Sequence, residues 1–201
     1  MRPERGSKPS VAMNVGTDTS VAIYAGGKSS RFGSPKIKAK IDDKEFGLLI
    51  IETLKRAGFI NISLIGGDSN DARRWGVDFH EDIYPESGPL GALLTALQMC
   101  KTERLMTLPC DVPFIDEDTC RGLSNLAPGV EVLVARTDTP QWLCGTWRHS
   151  TYAAIESEFK SGERAIHRVV EKLKYDFVDI SSEILLNVIE PGQLKHLPDP
   201  N

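Results

Sequence analysis

Along the chain, short apolar runs alternate with longer stretches of near-helical periodicity, and glycine, proline and charged residues separate the two. Val21-Ala-Ile-Tyr-Ala25 is an unbroken apolar run, the pattern of a buried strand. From Glu45 to Ala57 the apolar positions Phe46, Leu49, Ile50, Leu54 and Ala57 recur near helical spacing, and Gly58 follows them. This predicts an amphipathic helix ended by glycine. Ile60 to Ile65 alternates and then runs apolar, a second strand stopped by Gly66-Gly67. Asn70 to Trp75 predicts a short helix and Val77 to His80 a third strand, with Lys38 to Asp43 left as loop or edge structure. Ser87-Gly-Pro-Leu-Gly91 opens a helix over Leu90 to Cys100, with proline in its first turn. Arg104 to Cys110 is a largely apolar fourth strand that stops at Asp111. Helices are predicted over Asp116 to Leu126, Ser150 to Phe159 and Glu163 to Leu173. Strands are predicted over Val130 to Ala135, Gln141 to Trp147 and Tyr175 to Ile180, with a short extended tail over Leu185 to Val188.

Strands that alternate with helices over the whole length predict an α/β fold, a three-layer αβα sandwich around a mostly parallel, Rossmann-like sheet. In such sheets ligands sit beyond the C-terminal ends of the strands, near a topological switch point. Gly26-Gly27, Gly66-Gly67, Asp82 and Asp111 all follow predicted strand ends, so one edge of the sheet is expected to collect them.

The most distinctive stretch is the segment after the first strand, Gly26-Gly-Lys-Ser-Ser-Arg-Phe-Gly-Ser-Pro-Lys36. Glycines let backbone N–H groups approach phosphates, and Lys28, Arg31 and Lys36 supply neutralising charge. The familiar phosphate loops do not fit. Gly27-Lys28-Ser29 resembles the tail of a Walker A motif, but position 22 is alanine where that motif needs glycine, and no G-x-G-x-x-G occurs. A polyphosphate loop of another kind competes here with a solvated connection. Asp111, placed after a buried strand in Leu108-Pro-Cys-Asp-Val-Pro-Phe114, suits Mg²⁺, which binds through one or two carboxylates plus substrate phosphates. The alternative is a carboxylate capping the next turn. Asp82, before Gly88-Pro-Leu-Gly91, suits a base or sugar contact or an ordinary helix-leading loop.

Composition narrows the partners. The chain has 201 residues with 40% hydrophobic and 26% charged content, enough for one sizeable soluble domain. Residues 1–19 lack an apolar pattern and are expected to form a disordered tail, leaving 20–201 as a single domain. A net charge of −4 gives no global basic field for nucleic acid. No run approaches a membrane span, and the N-terminus lacks an apolar signal core. Four cysteines without a C-x-x-C pair or zinc spacing read as core residues or free thiols, which suggests a reducing, cytoplasmic setting. The four histidines pair with no plausible Ser or Cys nucleophile. Trp142 and Trp147 flank Cys144-Gly145 and belong either to the core or to a pocket for a flat ring.

Several of these stretches together resemble a known family. Ala25-Gly-Gly-Lys-Ser-Ser-Arg-Phe-Gly-Ser-Pro-Lys36 is similar to the signature loop of the molybdenum cofactor guanylyltransferases, roughly L-A-G-G-x-S-x-R-M-G-x-x-K. Ser87-Gly-Pro-Leu-Gly-Ala92 resembles that family's G-P-L-x-G segment and Pro109-Cys-Asp-Val-Pro-Phe114 its P-C-D-x-P-[FY] motif. Gln141 to Trp147 and Asn187 to Pro191 resemble its later motifs more loosely, and all of them occur in the family's order. The resemblance implies a nucleotide-diphospho-sugar transferase type of fold. It also implies transfer of GMP from GTP to a molybdopterin-type cofactor with Mg²⁺ and release of pyrophosphate. By position, Ala25, Gly26, Gly27 and Gly88 would contact the nucleotide, Lys36 its phosphates and Asp82 the guanosine. Asp111 would bind the metal, while Arg31 and Asn187 would lie nearer the acceptor or the reacting phosphates, and Arg31, Lys36 and Asp111 would form the catalytic set. Cofactor-assembly proteins would be partners of a monomer or weak oligomer. Gly26 favours GTP, since the family's cytidylyltransferase relatives carry alanine there. Departures are Tyr24 in place of the usual leucine, Gly66-Gly67-Asp68 where asparagine is common, and Ile189 in place of a second asparagine. The alternatives are a cytidylyltransferase or sugar-phosphate nucleotidyltransferase on the same fold, or a nucleotide-binding partner protein without transfer activity.

Overall fold

The computed structural model describes residues 15–26 and 35–185. A helical turn, α1 (Val15–Asp18), leads into β1 (Thr19–Tyr24). Both begin inside the stretch expected to be a tail, and Thr19 is fully buried. After residue 34 come a 3₁₀ turn at Lys36–Lys38 and a small hairpin, β2 (Lys40–Ile41) with β3 (Lys44–Glu45). The order then runs α2 (Phe46–Arg56), β4 (Asn61–Ile65), α3 (Ser69–Trp75), β5 (Asp78–His80), α4 (Gly88–Met99) and β6 (Arg104–Pro109). It finishes with α5 (Glu117–Ser124), β7 (Val132–Arg136), β8 (Pro140–Arg148), α6 (Tyr152–Lys160), α7 (Ile166–Val170) and β9 (Tyr175–Asp179).

Seven strands form one sheet in the order β5-β4-β1-β6-β8-β7-β9. β5, β4, β1 and β6 run parallel, β8 is antiparallel to both β6 and β7, and β9 is parallel to β7. The sheet is therefore mostly parallel, with one reversed strand. Because β1 sits between β4 and β6, the chain crosses back over β1 after β5. The switch point thus lies at the C-terminal end of β1, directly before residue 26.

The two faces of β1 explain the layers. Val21 and Ile23 pack with Ile50 and Leu54 of α2, Ala72 and Trp75 of α3, and Cys120 and Leu123 of α5. Ala22 and Tyr24 pack with Leu90, Leu93, Leu94 and Leu97 of α4, Ile155 and Phe159 of α6, and Val169 and Val170 of α7. An unbroken apolar strand is what a sheet covered on both sides requires. Each fully buried leucine contributes roughly 2 kcal/mol. The three-layer αβα sandwich is the observed architecture.

Two predicted elements differ. The helix expected over Glu163 to Leu173 shrinks to Ile166–Val170. The Glu163 carboxylate accepts the backbone N–H groups of Arg164 and Ala165 at 2.8 and 2.9 Å, which fixes a turn ahead of the helix. Behind it, Lys172 and Leu173 donate to Val169 and Val170, a tight turn that delivers the chain to β9. The extended tail expected from Leu185 is instead a turn through Leu185, whose side chain is buried, and residues 186–188 lie outside the described residues.

Candidate active site

The parallel strands place their C-terminal ends on one edge, and the site is built there. Tyr24 ends β1, Ile65 ends β4, His80 ends β5 and Pro109 ends β6. Ala25 and Gly26 both donate backbone N–H groups to the Ile65 carbonyl, at 3.0 and 3.2 Å. Gly66 donates to the His80 carbonyl at 2.9 Å. The chain leaving β1 is thereby stitched to the chain leaving β4, and that in turn to the end of β5.

Glycine is required at this junction. Gly66 has φ +69°, and a Cβ on it would stand 3.2 Å from Gly26 Cα and 4.0 Å from Asp82 Cβ. Gly67 has φ +82°, and its Cβ would come within 2.9 Å of Ala25 Cβ. Gly26, Gly66 and Asp82 therefore form one continuous floor. The Asp82 carboxylate is locally held. Its Oδ1 accepts the Tyr84 N–H at 3.0 Å and the Thr95 hydroxyl at 3.0 Å. Thr95 is fully buried on α4, accepts the Ile83 N–H at 3.1 Å and also reaches the Gly91 carbonyl. Gly91 lets the Tyr84–Ser87 turn lie on α4, since a Cβ there would be 3.0 Å from Tyr84 and Ser87. Gly88, with φ +71° and open space where a side chain would stand, starts α4 at the same edge.

The charged half lies over β6. Lys36 Nζ is 2.9 Å from Asp111 Oδ2, and both side chains are largely withdrawn from solvent at 26% and 18% exposure. These residues are 75 positions apart in sequence. Lys36 is aimed by its own turn. Ile37 is buried in a notch that exists because position 47 is glycine: a Cβ on Gly47 would lie 2.5 Å from Trp75 and 2.7 Å from Ile37. Lys38 Nζ binds Asp71 Oδ2 at 3.0 Å and Asp68 Oδ2 at 3.5 Å on the α3 side. The Asp71 side chain is 6% exposed and also takes Arg74 at 3.0 Å. The hydrogen bond to Asp71 raises the Lys38 pKa, and the Asn70 backbone N–H is the main reason that of Asp68 is lowered. Nothing in the sequence singled out this clamp, because α3 reads as a polar surface helix.

Gly26, Lys36 and Asp111 line a cleft of about 460 Å³ together with Tyr24, Gln141 and Trp142. Beside Asp111, burial and the Asp111 charge push the Cys110 thiol up to about 12, so it stays protonated and is no nucleophile at neutral pH. Burial also pushes the Tyr24 phenol well above its ordinary value. Among the described residues no group of three or more His, Cys, Asp or Glu converges to hold a metal by protein ligands alone. A single carboxylate at this edge nevertheless fits a hard ion such as Mg²⁺, which would take the rest of its oxygens from substrate and water.

Of the residues picked out from sequence, Ala25, Gly26, Lys36, Asp82, Gly88 and Asp111 fall on this edge. Gly27, Arg31 and Asn187 lie outside the described residues, as do Lys28, Ser29 and Ser30. Trp147 is a core residue, 1% exposed, whose Nε1 donates to the Thr107 hydroxyl at 3.1 Å. All four cysteines are free. No helix among the described residues is long and apolar enough to cross a membrane.

A family model described as MobA-like NTP transferase domain matches residues 21–177. A probable molybdenum cofactor guanylyltransferase from Clostridium perfringens strain 13 is 30% identical over 162 residues, covering 80% of this chain and 81% of its own. Another of that name from Aquifex aeolicus is 28% identical over 179 residues, 87% of this chain and 88% of the relative. In structure, the molybdopterin-guanine dinucleotide biosynthesis protein A of Archaeoglobus fulgidus superposes with a TM-score of 0.73 at 20% identity, over 89% of this chain and 96% of that one.

Proposed function

The chain belongs to the MobA-like NTP transferase domain family, and from that membership we propose that it transfers GMP from GTP to molybdopterin cofactor and releases pyrophosphate. It is a nucleotidyltransferase, and the observation that carries the finer reading is the edge itself: a glycine floor with a held carboxylate adjoins a lysine–carboxylate pair across one switch point. Glycines at Gly26 and Gly66 leave the backbone bare where a flat base and ribose would lie, and Asp82 offers acceptor oxygens to base N–H or sugar O–H groups. Lys36 sits where a triphosphate would run from that floor toward Asp111.

The chemistry follows from this placement. An acceptor phosphate oxygen attacks the α-phosphorus in line, and the bond to the β-phosphate bridging oxygen breaks as pyrophosphate leaves. The nucleophile is already an anion, so no side chain need remove a proton. Lys36 neutralises the triphosphate and orients it. Asp111 would hold Mg²⁺, which supplies charge neutralisation of the phosphates when bound. Arg31 is assigned to the reacting phosphates, Gly27 and Gly88 to the nucleotide, and Asn187 to the acceptor. The working unit, which includes the strand from Thr19 onward, is a cytoplasmic monomer or weak oligomer that hands its product to cofactor-assembly proteins. Pyrophosphate release with GTP, CTP, ATP and UTP, each with and without molybdopterin, tests the reading. Release confined to GTP plus acceptor supports it, and preference for CTP or release without acceptor contradicts it.

A further inference from the structure

Where β8 passes the cleft, it leaves its ladder. Trp147, Thr146 and Gly145 face Val132, Leu133 and Val134 of β7, but the next residue, Ala135, faces Gln141. Trp142, Leu143 and Cys144 therefore have no counterparts and form a three-residue bulge. Bulges re-aim side chains and concentrate beside functional sites. All three residues line the cleft that also contains Lys36 and Asp111. Cys144 turns into the core at 1% exposure, whereas Trp142 is half-buried.

The Trp142 indole is braced from behind. Phe177 meets it edge-on at 6.2 Å and 64°, and His167 is tilted against it at 6.1 Å. Phe177 is itself fixed by Tyr175 at 5.4 Å and by the Arg136 guanidinium at 4.9 Å, which is paired with Asp179 at 2.6 Å. A rigid aromatic wall beside a cation–carboxylate pair suits a ligand that carries both a flat ring and an anionic group.

We propose that Trp142 is the specificity-determining residue for the ring of the acceptor: a flat, fused heterocycle stacks on its indole while the acceptor's phosphate points toward Lys36 and Asp111. This rests on the guanylyl-transfer reading and adds to it the side of the edge from which the acceptor enters. Trp147, equally prominent in the sequence, takes no part, because it is buried under the sheet.

The test is calorimetric binding to the intact chain of two phosphates, a pterin with a side-chain phosphate and ribose 5-phosphate, which has no aromatic ring. Trp142→Phe should keep pterin-phosphate affinity within about threefold. Trp142→Leu, which fills the space without a ring, should weaken it roughly tenfold, the order of one base–aromatic stack, and leave ribose 5-phosphate unchanged. In turnover, Trp142→Leu should raise the acceptor KM and leave the GTP KM in place, and thermal unfolding verifies that both variants fold. Equal losses for the aromatic and the non-aromatic phosphate, or no loss for either, would overturn the assignment. The binding comparison requires no turnover, so a chain that stacked pterin on Trp142 but used no GTP would contradict the guanylyl reading and leave the Trp142 assignment standing.

Discussion

Replacing Asp111 by asparagine keeps the size of the side chain and removes its charge. The structure sets the scale of the loss. At the 2.9 Å separation of Lys36 and Asp111, two unit charges attract by about 1.4 kcal/mol at the dielectric of water and about 6 kcal/mol at an effective value of 20. Withdrawing both groups from solvent offsets most of this, so the pair stabilises the fold by about 1 kcal/mol. That corresponds to a Tm decrease of about 3 °C for a chain of this size. A divalent ion carries twice the charge of lysine. At the same separation and in the most screened limit, its loss of the carboxylate forfeits about 3 kcal/mol, or roughly a hundredfold in rate. Asp111→Asn should therefore lose at least about a hundredfold in kcat/KM for Mg-GTP in a pyrophosphate-release assay while remaining folded. Turnover within threefold of the parent would refute the metal role, and a collapse of Tm by tens of degrees would show that the carboxylate is structural instead.

Other outcomes follow from the same geometry. Gly66→Ala places a left-handed alanine 3.2 Å from Gly26, which costs about 1–2 kcal/mol in stability and disturbs the floor, so calorimetry should show GTP binding weakened by about tenfold. Asp71→Asn frees one end of the Lys38 clamp. It should lower Tm by about 5 °C and raise the GTP KM, and in a Lys36→Met background it should leave the KM unchanged, because the clamp acts by aiming Lys36. Additive effects in that pair would contradict the aiming role. With its pKa raised to about 12, the Cys110 thiol holds on the order of a thousandfold less thiolate at pH 8 than a free cysteine, and alkylation followed by mass spectrometry should find it unlabelled in the native protein and labelled in urea.

Most of the fold was legible because its strands are buried on both sides. Val21 to Ala25 is apolar throughout and Arg104 to Cys110 largely so, and only a sheet covered by helices on both faces asks for that. The helices with one strong apolar face, Phe46–Arg56 above all, were legible for the matching reason. The Glu163 to Leu173 segment was not, because its boundary is set by a side chain taking backbone N–H groups, which overrides a periodic pattern. The edge positions of Gly26, Gly66, Asp82 and Asp111 followed from strand ends alone. Their pairing did not. No sequence pattern links Lys36 to Asp111, Lys38 to Asp71, or Asp82 to Thr95, since each contact joins elements that only the packed layers bring together. Trp142 and Trp147 looked alike in sequence and parted only because a bulge intervenes between them.

The central claim is that the nucleotide's α-phosphorus goes to a pterin phosphate. Incubation of the protein with molybdopterin cofactor, Mg²⁺ and GTP labelled with ³²P at either the α or the γ position reads this directly. The α-label should appear in a guanine–pterin dinucleotide and the γ-label entirely in pyrophosphate. Label from the γ position in the acceptor, or α-label recovered only as free nucleotide, would contradict it.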